Sequence, residues 1–111
     1  MSDPQTASSV MNLGNVLSDM GRPEEAAYLF EQAFRGNKEV ELASRALFKA
    51  ADAYYQAERF EQARVLYQQF LKSYPAHANE ARGMYQLGLT SARIGFREEA
   101  LFEFERVVEL Y

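Results

Sequence analysis

Apolar residues return every three or four positions in six stretches of the chain, with polar residues between them, which is the pattern of one-sided helices. Val10, Leu13, Gly14 and Leu17 mark the first stripe, and Met84, Leu87, Gly88 and Ser91 mark the fifth. Ala26, Phe30, Ala33 and Phe34 form the second stripe; Ala63, Tyr67, Phe70 and Leu71 the fourth; Ala100, Phe104, Val107 and Val108 the sixth. The spacing predicts helices at about 7–20, 22–35, 40–57, 59–73, 77–94 and 96–110. Breaks fall where the chemistry asks for them. Gly21 and Gly95 can take a positive φ after a helix, and Pro23 suits the first turn of the next one. Glu24, Glu25, Glu98 and Glu99 sit at the positive ends of helix dipoles. Gly36 and Asn37 stop the second helix, and Pro75 cannot continue the fourth.

The six stripes are three copies of one sentence. "VMNLGNVLSDMGRPEEA" begins at Val10, "LFKAADAYYQAERFEQA" at Leu47 and "MYQLGLTSARIGFREEA" at Met84, starts 37 residues apart. A fixed period in this range signals stacked supersecondary units, none of which can bury its apolar face alone. Gly14, Ala51 and Gly88 share one slot, and Ala26, Ala63 and Ala100 another, where a missing side chain lets two helices approach. Phe30, Tyr67 and Phe104 fill the space beside them.

These residues resemble the tetratricopeptide repeat family, whose pattern is matched by Val10, Leu13, Gly14, Leu17, Ala26 and Phe30. Leu47, Ala51, Tyr54, Ala63, Tyr67 and Pro75 match it again, and Met84, Leu87, Gly88, Ala100 and Phe104 a third time. The chain departs from it in the 37-residue spacing, in Lys38 at the closing proline slot and in Phe70 where the family usually has alanine. The resemblance implies an all-α fold: three helix-turn-helix repeats (about 7–43, 44–80 and 81–111) stacked as a right-handed α-solenoid, after a flexible segment 1–6 and with no clear capping helix. The stretch "FLKSYPAHANEARGMYQLG" (70–88) also resembles a bacterial envelope subgroup that includes Tol-Pal coordinating proteins and outer-membrane assembly lipoproteins.

Composition narrows the function classes. A net charge of −4 argues against a nucleic-acid binder. No apolar run nears the roughly 18 residues that cross a bilayer, and "MSDPQTASSV" is not a signal peptide. As written the chain is expected in the cytoplasm, or in the periplasm if it is a fragment of an exported protein. There is no cysteine, and the one histidine, His77, is expected at an exposed helix start. No metal-ligand spacing, phosphate loop or nucleophile elbow is present, so neither catalysis, a metal nor a cofactor is expected.

The resemblance implies that the first helix of each pair lines a concave groove for an extended peptide or a partner helix. The corresponding slots hold Met11, Asn15, Ser18 and Asp19, then Arg45, Phe48, Lys49, Asp52, Tyr55 and Gln56, then Arg82, Tyr85, Gln86, Leu89 and Arg93. Met11, Phe48 and Tyr85 repeat one slot and are expected to form an apolar row, flanked by a locally positive set in an acidic chain. Aromatics beside arginines suit a protein partner with apolar anchors and acidic character. Of the carboxylate-clamp slots (Met11, Asn15, Lys49, Arg82 and Gln86) only Asn15 and Arg82 fit, so chaperone-tail binding is not expected.

Two other readings come from elsewhere on the chain. Leu101, Phe104, Val108 and Tyr111 lie where a further unit would dock, and burying each would contribute roughly 1.5–3 kcal/mol. They point to a homodimer through the C-terminal helix. The alternative is a passive spacer in a larger protein. Tyr28, Val65 and Phe102 share a convex slot and are expected to be partly covered by helix packing.

Overall fold

The computed structural model describes residues 4–75 and 77–111. Among them six helices follow one another: α1 (Pro4–Asp19), α2 (Pro23–Gly36), α3 (Val40–Gln56), α4 (Phe60–Ser73), α5 (Glu80–Ile94) and α6 (Arg97–Leu110). Each helix packs on the next in sequence, and across the hairpins α1 touches α3 and α3 touches α5. The chain is therefore an α-solenoid of three helix-turn-helix hairpins, α1/α2, α3/α4 and α5/α6.

The hairpin turns are built three times in one way. Arg22, Arg59 and Phe96 donate their backbone N–H five residues back, to the carbonyls of Leu17, Tyr54 and Ser91, at 2.8–2.9 Å. The preceding residue donates to Ser18, Tyr55 and Ala92 respectively, at 3.0–3.1 Å. This closure caps the helix and requires one residue in the left-handed region. Gly21 (φ 78°) and Gly95 (φ 101°) take it at no steric cost, but the middle repeat places Glu58 there at φ 61°.

Two helix starts differ from expectation. α1 begins at Pro4 rather than at 7, because proline fits a first helical turn whose N–H groups lack partners anyway. Of the segment 1–6 expected to be flexible, residues 4–6 are thus helical, and 1–3 lie outside the described residues. α5 begins at Glu80, not at 77, because the His77 ring interrupts the backbone pattern. Its Nδ1 accepts the Asn79 N–H at 3.0 Å. That assigns the ring proton to Nε2, which lies 3.3 Å from Ser44 Oγ. Far from standing in solvent, the ring is largely covered and meets Phe70 edge-on at 5.3 Å.

Each hairpin is held by a ring set into a gap. A Cβ built on Gly14 would fall 2.6 Å from Phe30 Cε1, and one on Gly88 2.6 Å from Phe104 Cε1. In the middle repeat Ala51 occupies the slot, and Tyr67 packs beside it with both fully buried. Between hairpins, Gly83 of α5 lies against Leu71 and Phe70 of α4. The convex slot is more open than expected: Tyr28, Val65 and Phe102 are all exposed, each at the rim of a shallow depression shared with a neighbouring helix.

Two stability measurements follow from this packing. Phe30 is enclosed and cannot move aside, so overpacking outweighs the helix-propensity gain in Gly14→Ala, which should lose about 1 kcal/mol in urea unfolding. Phe104 is half-exposed and can swing outward, so Gly88→Ala should be about neutral. Glu58→Gly should stabilise by about 0.5–1 kcal/mol through relief of the left-handed backbone. A loss of stability in that variant would contradict the turn geometry.

Candidate protein-binding groove

The three odd-numbered helices lie side by side, and their shared face carries the groove slots. Exposed on it are Asp19, Arg45, Gln56, Arg82, Tyr85 and Arg93, while Asn15, Ser18, Lys49, Asp52, Tyr55, Gln86 and Leu89 are half-buried. Met11 and Phe48 belong instead to the core, Phe48 being only 3% exposed. The expected apolar row is therefore not an open strip.

The cause is the next repeat. Phe48 packs edge-on against Phe70 (4.9 Å) and Tyr67 (5.7 Å) of its own hairpin. The following helix, α5, then closes over it, with Gly83 at its edge and the Arg82 guanidinium 5.1 Å above its ring. Met11 holds the equivalent slot one repeat earlier and is buried in the same core. Tyr85 has no further repeat over it among the described residues; it leans on Phe104 at 5.8 Å and remains exposed.

What the groove presents is mostly charge laid over rings. Lys49 Nζ lies 5.8 Å from the Phe30 centroid and Arg93 5.7 Å from that of Phe60, beside the Arg82–Phe48 stack. Such stacking holds a cation in place while leaving its donors directed outward. Arg82 also approaches Asp52 at 3.5 Å. Between α1 and α3 a depression of about 210 Å³ is lined by Asn15, Ser18, Lys49, Asp52 and Gln56 among others. Ser18 Oγ donates to Gln56 Oε1 across it at 2.8 Å, tying the first two repeats together.

Asp52 anchors the floor. The Tyr67 hydroxyl donates to its Oδ1, and Gln86 Nε2 donates to the Tyr67 oxygen at 3.2 Å. Burial raises the Asp52 pKa above the ordinary carboxylate value, and the Tyr67 hydrogen bond and the Arg82 charge offset this only in part. Burial and the neighbouring Asp52 raise the Tyr67 phenol in turn, so it stays a donor. Sequence reasoning missed Tyr67 as a floor residue. The signal was a hydroxyl in a core slot that holds phenylalanine in the other repeats, Phe30 and Phe104, beside an acid where they have Asn15 and Leu89.

The residues expected at the far end divide. Leu101, Val108 and Tyr111 are exposed, whereas Phe104 turns inward to fill the gap at Gly88. The Tyr111 hydroxyl donates to Glu80, which bends the C-terminal residue back toward α5. Among the described residues no cluster of three His, Asp or Glu side chains could hold a metal ion, and no helix is long and apolar enough to cross a membrane.

The Asp52 shift has a checkable sign. A carboxyl whose pKa is raised on folding binds its proton more tightly in the folded state, so ionising it lowers stability. Its contribution is fully favourable below the unfolded-state pKa and is lost as pH rises through the folded one. Relative to Asp52→Asn, the native chain should therefore gain stability as pH falls from neutral through the carboxylate range. Urea unfolding of the two proteins across that range measures it. A stability difference that is flat, or that grows in favour of the native chain as pH rises, would contradict the buried carboxylate.

No curated protein matches the chain. A family model for the tetratricopeptide repeat matches residues 11–78 and again residues 48–111, two overlapping windows that each take in successive hairpins. With the repeated turns, the small-residue slots and the stacked hairpins, this match places the chain in the tetratricopeptide repeat family, whose members generally mediate protein–protein interaction and are typically non-catalytic.

Proposed function

We propose that this chain is a non-catalytic adaptor that holds an acidic segment of a partner protein, as an extended peptide or a helix, along its concave face. The observation that carries the reading is the set of four cations on that face, Arg45, Lys49, Arg82 and Arg93, three of them over aromatic rings. The chain as a whole carries a net charge of −4, so four cations against the two acids Asp19 and Asp52 on this face are a local excess and not a reflection of composition. Asp52 is held by Tyr67 and leaves Arg82 able to turn a donor outward.

Burial of Met11 and Phe48 changes the ligand this surface suits. With those two inside the core, Tyr85 and the half-buried Tyr55 and Leu89 supply the apolar contacts, and charge supplies most of the recognition. A ligand with several carboxylates and one or two apolar anchors fits better than a mainly apolar one. Such recognition raises association rate and specificity and weakens with salt. A bacterial envelope setting, suggested by the likeness of 70–88 to the envelope subgroup, is part of the same proposal.

Selection from a random peptide display library tests it directly. The expected winners are rich in Asp and Glu with an apolar residue among them. Their affinity should drop at least tenfold with Arg82→Glu plus Lys49→Glu and fall with added salt. The double variant leaves the buried core untouched, and circular dichroism checks that it folds. Winners that are apolar or basic, or whose binding ignores both substitutions, would overturn the groove reading.

A further inference from the structure

The 37-residue register allows every surface residue to be compared with its equivalents in the other two repeats, and the first and last helices stand apart in it. On α1, Ser9, Leu13, Val16 and Met20 are exposed. Their equivalents on α3 are Ala46, Ala50, Ala53 and Ala57, and on α5 Gly83, Leu87, Thr90 and Ile94, all buried or half-buried. Leu13 is 51% exposed where Leu87 is 4%. These are the positions on which the second helix of a preceding repeat rests. In the first repeat three of the four, Leu13, Val16 and Met20 (the last just past the end of α1), are large and apolar, and no described helix rests there.

At the other end the same comparison runs in mirror fashion. Leu101, Val108 and Tyr111 of α6 are equivalent to Arg64, Leu71 and Tyr74 of α4 and to Ala27, Phe34 and Asn37 of α2, none of which is fully exposed. Val108 is 82% exposed, whereas its equivalent Leu71 lies against Gly83 of the following helix. Thus α6 shows the half of the repeat interface that α2 and α4 give, and α1 shows the half that α3 and α5 receive.

We propose that a second copy of this chain docks end to end, its α6 resting on α1 of the first and continuing the solenoid across the junction. The internal α2–α3 and α4–α5 packing supplies the geometry, because the same slots meet in the same order. Leu101 and Val108 meet the strip of Ser9, Leu13 and Val16. The exposed inter-repeat ion pair between Arg59 and Glu24, 2.6 Å long, has its equivalent across the junction in Arg22 of one copy, which also pairs with its own Glu25 at 2.5 Å, and Glu98 of the other. Tyr85, exposed in the single chain, is covered there as Phe48 is covered by α5, which leaves Tyr55 and Leu89 as the apolar contacts of the groove at a junction. One slot does not match. Glu105 takes the position in which Glu31 accepts the Tyr54 hydroxyl, and it would face Leu17. The junction is therefore weaker than the internal ones, and the association is concentration-dependent.

A head-to-tail contact uses two different surfaces, so it does not close at a dimer. This separates it from pairing of α6 with α6, and the following experiment distinguishes the two. Sedimentation velocity of the native chain over a wide concentration range should show mass growing past the dimer. Leu13→Glu with Val16→Glu should abolish growth, as should Leu101→Glu with Val108→Glu. All four positions are exposed, and circular dichroism verifies folding. Mixing the two variants should restore one intact junction and give a 1:1 complex that grows no further. A native chain that is monomeric throughout, an α1 variant that still self-associates, or a mixture that stays monomeric would each overturn the proposal.

Discussion

The rest of the structure depends on how closely the two helices of each hairpin can approach. At Gly14 the enclosed ring of Phe30 leaves no room for even a methyl group, and at Gly88 the half-exposed ring of Phe104 fills the same space and would have to swing outward to admit one. Dense packing of this kind fixes the rotation of each helix about its axis. Once rotation is fixed, the residues three and four positions away are fixed too, and they become either the bed for the next hairpin or the concave face. Ala51 shows that the slot tolerates one carbon when the partner is Tyr67, whose hydroxyl is held by Asp52. The middle hairpin therefore couples its packing to the groove floor, while the outer two do not.

Much of the architecture was legible because it is written three times. Repetition separates signal from accident: Gly21 and Gly95 flag a turn in the first and third copies, and their register places it in the middle copy even though Glu58 is no glycine. The late start of α5 was not legible, since it depends on a histidine ring accepting a backbone N–H, and pattern alone does not reveal that. The first turn of α1 escapes the pattern for the opposite reason: residues 4–6 carry no apolar periodicity, although Pro4 suits a helix start.

The candidate site was legible in charge and not in depth. Arg45, Arg82 and Arg93 are exposed, because long basic side chains extend outward whatever the packing beneath them. Phe48 lies at the border between core and groove, where helical periodicity assigns it equally to either. Phe70, large where the family usually has alanine, provides rings for it to meet, and α5 then covers it. Which side of such a border an aromatic takes is set by residues of another hairpin, beyond the reach of a local pattern.

Concave face, convex row and solenoid ends all expose apolar groups, so the central claim is that the concave face is the one that binds a partner. The most direct measurement is amide chemical-shift mapping of the labelled chain with an acidic, display-selected peptide. Binding at the groove requires the largest changes along α3 and α5 around Lys49, Tyr55, Arg82 and Gln86, with Tyr28, Val65 and Phe102 unmoved. Changes centred on the convex row, or on Leu13 and Val108 at the two ends, would contradict it.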